Sequence, residues 1–140
     1  ESQIKKMETR FAFTTRRPGR RNPWLMRAEA FVACYFSGDL NYAPEINLVF
    51  EGTDMQRAVW GALTDIQPGK RRTYSQIAKQ VNHPTAIRAV ASAIGYNPIA
   101  ILIPCHRVIG SSGHLTGYTA GLDIKRCLIA HEEKFIVQQS

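Results

Sequence analysis

With 140 residues, 44% of them apolar, the chain can form one ordinary domain, or two small lobes sharing an interface, around a real core. It contains no run of eighteen apolar residues, which excludes a membrane-spanning helix of the usual kind. A formal net charge of +7 favours an anionic partner, nucleic acid above all, although a soluble basic protein without one carries the same charge.

Residues 1–22 are basic and irregular, and RRPGRRNP at 16–23 reads as a loop. This charge cluster could touch phosphate, but a solvated tail or turn accounts for it better. Asn22 and Pro23 form a cap and first-turn pair that predicts a helix through about Phe36. Leu25, Ala28, Phe31, Val32 and Tyr35 recur at three and four residues and give it one buried face. Cys34 lies among these apolar neighbours and reads as packing. Gly38 ends the helix, and INLVF at 46–50 is a predicted strand.

A second organisation begins at Gly52. Thr53 can cap a helix through about Ile66 that buries Met55, Val59, Ala62 and Leu63 or Ile66. After a turn at 67–71, Thr73 and Gln76 have capping-box spacing and start the short helix YSQIAKQV. NHP at 82–84 breaks it, and TAIRAVASAI forms the next helix, with Gly95 at its end. Two short helices and a tight turn have the outline of a helix-turn-helix. Ala86, Ala89, Ala91, Ser92 and Ala93 leave the second helix nearly bare except for Arg88. A slim helix can enter a groove closely, but alanines serve close helix–helix packing equally well.

Ile99 to Ile103 is almost wholly apolar and predicts a buried strand or extended segment, which Pro104 then stops. Neighbouring side chains on a strand point to opposite faces, so Cys105 and His106 can share a site only if the backbone bends between them. Asn97, directly before Pro98, is suited to pin that bend by bonding to backbone. A Gly-rich loop at 113–121 precedes a final helix. Its Cys127 and His131 stand four apart, but no third ligand at zinc-like spacing accompanies them, so packing and surface roles fit them better.

Three cysteines cannot all pair within one chain, and Cys34, Cys105 and Cys127 show no framework spacing. An intracellular, reducing compartment is therefore expected, cytoplasm or nucleus according to the organism, with room for a functional thiol. No signal-peptide pattern is present, and Glu1 as the first residue suits a processed product or an excised piece of something longer. Cys105, His106 and a distant carboxylate could supply a nucleophile, a base and an orienting group, and Glu132 is the best candidate for the third. An imidazole that accepts the thiol proton raises the thiolate fraction, and thiolate is the reactive form.

NPIAILIPCHRVIGSSG, preceded by RAVASAIGYN and followed by LTGYTAGLDIKRCLIAHE, resembles the O6-alkylguanine-DNA alkyltransferase family, whose signature is PCHRV. The resemblance runs from about Gly52 to Glu132. It implies an α/β protein with a short or truncated N-terminal lobe over 1–52. A mainly helical catalytic and DNA-binding domain with a helix-turn-helix would follow over 53–140. Cys105 would attack the alkyl carbon on guanine O6 and keep the alkyl group permanently. His106, through a water to Glu132, would draw off the thiol proton while Asn97 holds the turn. Tyr74 would donate a proton toward guanine N3. Tyr118, Thr119 and Lys125 would line the base pocket, and carbonyls at Cys105 and Val108 would read the exocyclic amine. Arg88 would take the place of the flipped nucleotide, with Thr85, Ala86 and Ala89 facing DNA. The implied partner is double-stranded DNA containing O6-alkylguanine, bound by a monomer without cofactor and without membrane.

Two departures from the family stand out. Thr119 and Ala120 occupy places where many relatives carry serine and glycine, so bulky alkyl groups should fit less well. Residues 1–52 lack the cysteine and histidine set with which some members bind zinc, so no metal is expected. Two rival classes remain: a cysteine hydrolase using Cys105 and His106, which would turn over, and a damage-recognition module. Alkyltransferase-like proteins of the latter kind lack the cysteine that this chain keeps.

Overall fold

In a computed structural model of the chain, Thr53 and Thr73 each open a helix by the same device. The Thr53 hydroxyl accepts from Gln56 N at 3.1 Å while Gln56 Oε1 accepts from Thr53 N at 2.9 Å. Thr73 and Gln76 repeat the exchange at 3.1 and 2.8 Å. Each box satisfies two amides that a helix start otherwise leaves open, and losing such a cap costs about 1 kcal/mol. The structure describes residues 23–43, 45, 48, 50–115, 117–118 and 121–139.

In chain order the elements are α1 (Pro23–Ser37), α2 (Asp54–Thr64), β1 (Arg72–Thr73), α3 (Tyr74–Gln80), α4 (Ile87–Gly95), a single 3₁₀ turn (Cys105–Arg107), β2 (Val108–Ile109) and α5 (Leu122–Gln139). The described residues are thus mostly helical, with one small parallel sheet among them in which Arg72 faces Val108 and Thr73 faces Ile109. The chain divides into two units, one of Val49–Ile129 and one of Glu1–Leu48 with Ala130–Ser140.

In the Val49–Ile129 unit, α2, α3 and α4 pack on one another. Val59, Leu63, Ile66, Ile77, Val90, Ile94, Ile103, Val108 and Leu128 form its core. Each such side chain contributes about 1.5–3 kcal/mol by leaving water. Trp60 is buried as well, and its indole N–H donates to Ala93 O at 2.8 Å, tying α2 to α4. Between α3 and α4 the chain reverses through Asn82, at φ 62°, a left-handed angle that asparagine tolerates.

The other unit centres on the end of α1. On the face that the periodicity predicts, Leu25, Ala28, Phe31 and Val32 are half-buried and Tyr35 fully so, and Phe36, outside that pattern, is buried as well. The helix stops at Gly38, where φ is +100° and Asp39 N donates to Cys34 O at 2.9 Å. A Cβ at Gly38 would overlap the Phe135 ring. Gly38→Ala therefore meets both a left-handed backbone and a clash, and should destabilise by about 2–4 kcal/mol in urea unfolding. A wild-type midpoint would show that Phe135 can move aside.

One predicted element differs, and another falls mostly outside the described residues. Of the strand at 46–50, Ile46, Asn47 and Val49 lie outside the described residues, and Leu48 and Phe50 have no strand geometry. Ile99–Ile103 is no extended run either. Leu102 N bonds Ala100 O at 2.9 Å, Ile103 N bonds Ile99 O at 3.0 Å, and Ile101 is buried at φ 74°. Only Ile101 and Ile103 are buried, Ile99 is exposed, and the segment is coiled because the Asn97 side chain bonds both of its ends. Asn22 and residues 1–21 lie outside the described residues.

Candidate active site

The coil at 99–103 delivers the chain to Pro104, after which Cys105–Arg107 makes its one 3₁₀ turn. This is the bend that adjacent Cys105 and His106 require. Ile103 O holds it from two sides, accepting from Cys105 N at 2.8 Å and from Asn97 Nδ2 at 2.6 Å. The other end of the same amide, Asn97 Oδ1, accepts from Ile99 N at 2.9 Å, so one side chain staples both ends of the coil. Downstream, the buried Arg107 guanidinium donates to Ile66 O at 2.6 Å, and β2 then pairs with β1. The thiol turn is therefore fixed before and after by hydrogen bonds to buried carbonyls.

Cys105 and His106 are both buried. Burial pushes the Cys105 thiol above its ordinary value, while the Asn97 amide, the Tyr118 hydroxyl and the Lys125 ammonium each pull it back. The Tyr118 hydroxyl is itself pushed up by burial and by the neighbouring thiolate charge. It is buried without a well-formed hydrogen bond among the described residues. Lys125 is wholly buried, which lowers its pKa, and the thiolate charge opposes that fall. Its ammonium lies 5.9 Å from the centre of the Tyr74 ring. At rest near neutral pH the thiol is protonated, so reaction needs a proton acceptor. Once formed, the thiolate has a cation and two polar groups to stabilise it.

Of the predicted site residues, Cys105, His106, Asn97, Tyr74, Val108, Tyr118 and Lys125 all lie in the Val49–Ile129 unit. Tyr74, the first residue of α3, follows the β1 strand that pairs with Val108. Thr119 and Ala120 lie outside the described residues. Glu132 belongs to the other unit, where it is buried and accepts from the Tyr35 hydroxyl at 2.9 Å. Cys34 and Cys127 are half-buried on α1 and α5. His131, the other half of the pair for which packing and surface roles are expected, is buried with its Nε2 2.6 Å from Tyr35 O.

On α4, Arg88, Ala89, Ser92 and Gly95 are exposed, as is Thr85 just before it, and Ala86 is half-buried. Val90, Ala93 and Ile94 turn inward. Of the small residues, Ala93 packs inward, while Ala89 and Ser92 are exposed on the face that carries Arg88.

Three structural residues escape sequence reasoning. Arg107 carries no local sign of burial in the sequence, yet it is buried and donates to Ile66 O. Trp60 sits one position beyond the periodic face of α2. Tyr35 has the periodicity of a core residue, which hides its polar tip.

Residues 54–134 match the family model described as the 6-O-methylguanine DNA methyltransferase DNA-binding domain. The chain is 47% identical over 118 residues to a methylated-DNA–protein-cysteine methyltransferase of Methanosarcina mazei, covering 80% of this chain and 74% of that protein. Among solved structures it resembles Mycobacterium tuberculosis OGT in complex with DNA, with a TM-score of 0.75 and 46% identity over 79% of this chain and 68% of that one. It also resembles Schizosaccharomyces pombe Atl1 bound to damaged DNA containing O6-carboxymethylguanine, with a TM-score of 0.53 and 29% identity over 60% of this chain and 80% of that one.

Proposed function

The chain belongs to the 6-O-methylguanine DNA methyltransferase family, and from that premise we propose that it repairs DNA by moving the alkyl group of O6-alkylguanine onto Cys105. The observation that carries this reading is a buried thiol held in a stapled turn beside Lys125 and Tyr118. The sulfur attacks the alkyl carbon, the carbon–O6 bond breaks, and its electron pair stays on guanine. His106 takes the thiol proton, with Glu132 as its orienting carboxylate, and Tyr74 supplies a proton to guanine N3 as the base leaves. The thioether has no route back, so each molecule reacts once. Asn97 keeps the turn. Val108, Tyr118, Thr119 and Lys125 receive the base.

In-line attack needs the sulfur behind the alkyl carbon, which a stacked base does not permit, so the nucleotide is flipped out. The α3–α4 pair serves as the helix-turn-helix. Arg88, Thr85, Ala86 and Ala89 meet DNA there, and the exposure of Arg88, Thr85 and Ala89 supports that use. Residues 53–140 form the catalytic and DNA-binding domain, 1–52 an abbreviated N-terminal α/β lobe, and the protein acts as a monomer in a reducing compartment. No helix of the described residues is long and apolar enough to cross a membrane.

Intact mass after mixing with an O6-methylguanine duplex tests the reading: each chain should gain one methyl group and then stop. Continued turnover would point to a hydrolase, and binding with no mass gain to a recognition module.

Glu132→Gln should bind DNA normally but transfer about tenfold more slowly, because the imidazolium loses its charged partner. Stopped-flow rates at saturating DNA measure this. Wild-type rates would remove Glu132 from the mechanism.

A further inference from the structure

We infer that Tyr35 is a positioning residue for the Glu132 carboxylate. Its hydroxyl donates to Glu132 Oε1 at 2.9 Å, and both groups are buried. The neighbouring α5 residue, His131, holds the same tyrosine by its main chain, with Nε2 2.6 Å from Tyr35 O. A carbonyl can only accept, so this nitrogen carries the proton and donates it. Tyr35 is thus tied to two successive residues of α5, by its carbonyl to one and by its hydroxyl to the other.

The phenol ring is fixed as firmly as its ends. Phe36 meets it edge-on, with centroids 5.3 Å apart and planes at 87°, and the His131 ring lies 5.1 Å away. Phe135 in turn packs edge-on with the His131 ring, centroids 4.9 Å apart. A ring so enclosed delivers its hydroxyl to one place. A carboxylate withdrawn from water is costly unless donors replace the lost hydration, and an O–H donor favours both its ionised form and one orientation. Tyr35 supplies that donor from α1, a helix on which sequence reasoning places packing residues alone.

The inference rests on Glu132 orienting His106, as proposed above. A carboxylate left free to rotate would orient an imidazole less well, and the loss would appear in the transfer step. DNA affinity would not register it.

Tyr35→Phe removes one oxygen and keeps the ring contacts. Transfer from an O6-methylguanine duplex should be timed at saturating DNA for wild type, Tyr35→Phe, Glu132→Gln and the double variant, with duplex affinity and urea midpoints measured alongside. Tyr35→Phe should keep wild-type affinity and transfer about fivefold more slowly. It should add no further slowing in the Glu132→Gln background, since the group it serves is already disabled. A wild-type rate for Tyr35→Phe beside a slow Glu132→Gln overturns the role of Tyr35 alone. Equal slowing by Tyr35→Phe in both backgrounds also overturns it, by showing an effect through the fold. A wild-type rate for Glu132→Gln removes the reading of Glu132 and this inference with it.

Discussion

Cys105→Ser should bind methylated duplex DNA and never take up the methyl group. Serine differs by one atom and fits the same turn, so the Asn97 staple and the Arg107 bond to Ile66 O should persist. The chemistry does not persist. A hydroxyl is a weak nucleophile unless strongly activated, and the polar groups around Cys105 suit a thiolate that a single proton transfer can generate. Removing the nucleophile of a site whose parts act together costs on the order of 10⁴–10⁶-fold in rate. Peptide mapping of the wild type should place the added methyl on Cys105. A methyl on Cys34 or Cys127 instead, or transfer by the serine variant at even a hundredth of the wild-type rate, would sink the assignment.

Arg88→Ala should slow repair of duplex DNA on the order of 10²-fold and leave transfer from free O6-methylguanine nearly unchanged. Arg88 stands exposed on α4 beside Thr85, Ala89 and Ser92, so its removal leaves the surface able to dock. If Arg88 were only a phosphate contact, its loss would weaken all DNA binding and flatten the salt dependence by about one unit. As a wedge it offsets the cost of holding a paired base out of the stack, which amounts to a few kcal/mol and is absent for a free base. Single-turnover rates on the two substrates separate these cases. Equal slowing of both would locate the defect in the base pocket and end the wedge reading.

What the sequence makes legible follows from how local each signal is. The helices starting at Thr53 and Thr73 announce themselves because cap and partner lie three residues apart. The bend at Cys105 is legible because Pro104 stops the run before it. By contrast, β1 and β2 are two residues each and pair across 36 positions, too short for any alternation to show. The apolar run at 99–103 reads as a buried strand or extended segment because composition says nothing of backbone angle, nor of which of its side chains reach the core. The bond between Tyr35 and Glu132 spans 97 positions, and no local pattern predicts it. Candidate site residues were nameable because the PCHRV stretch and its neighbours carry a family resemblance. Residues that only support them, such as Arg107, carry no such mark.

Ile101 shows where the thiol turn gets its shape. A left-handed angle costs an ordinary residue about 1–2 kcal/mol, whereas burying an isoleucine side chain contributes about 1.5–3 kcal/mol. At Ile101 the angle is 74° and the side chain is buried, so the interior outweighs the backbone's own preference. Glycine would suit the angle yet forfeit the filled volume, so mutational drift at this position faces two opposed demands. A peptide copied from these residues alone would keep the means to make the Asn97 staple but lose the interior that holds Ile101 left-handed.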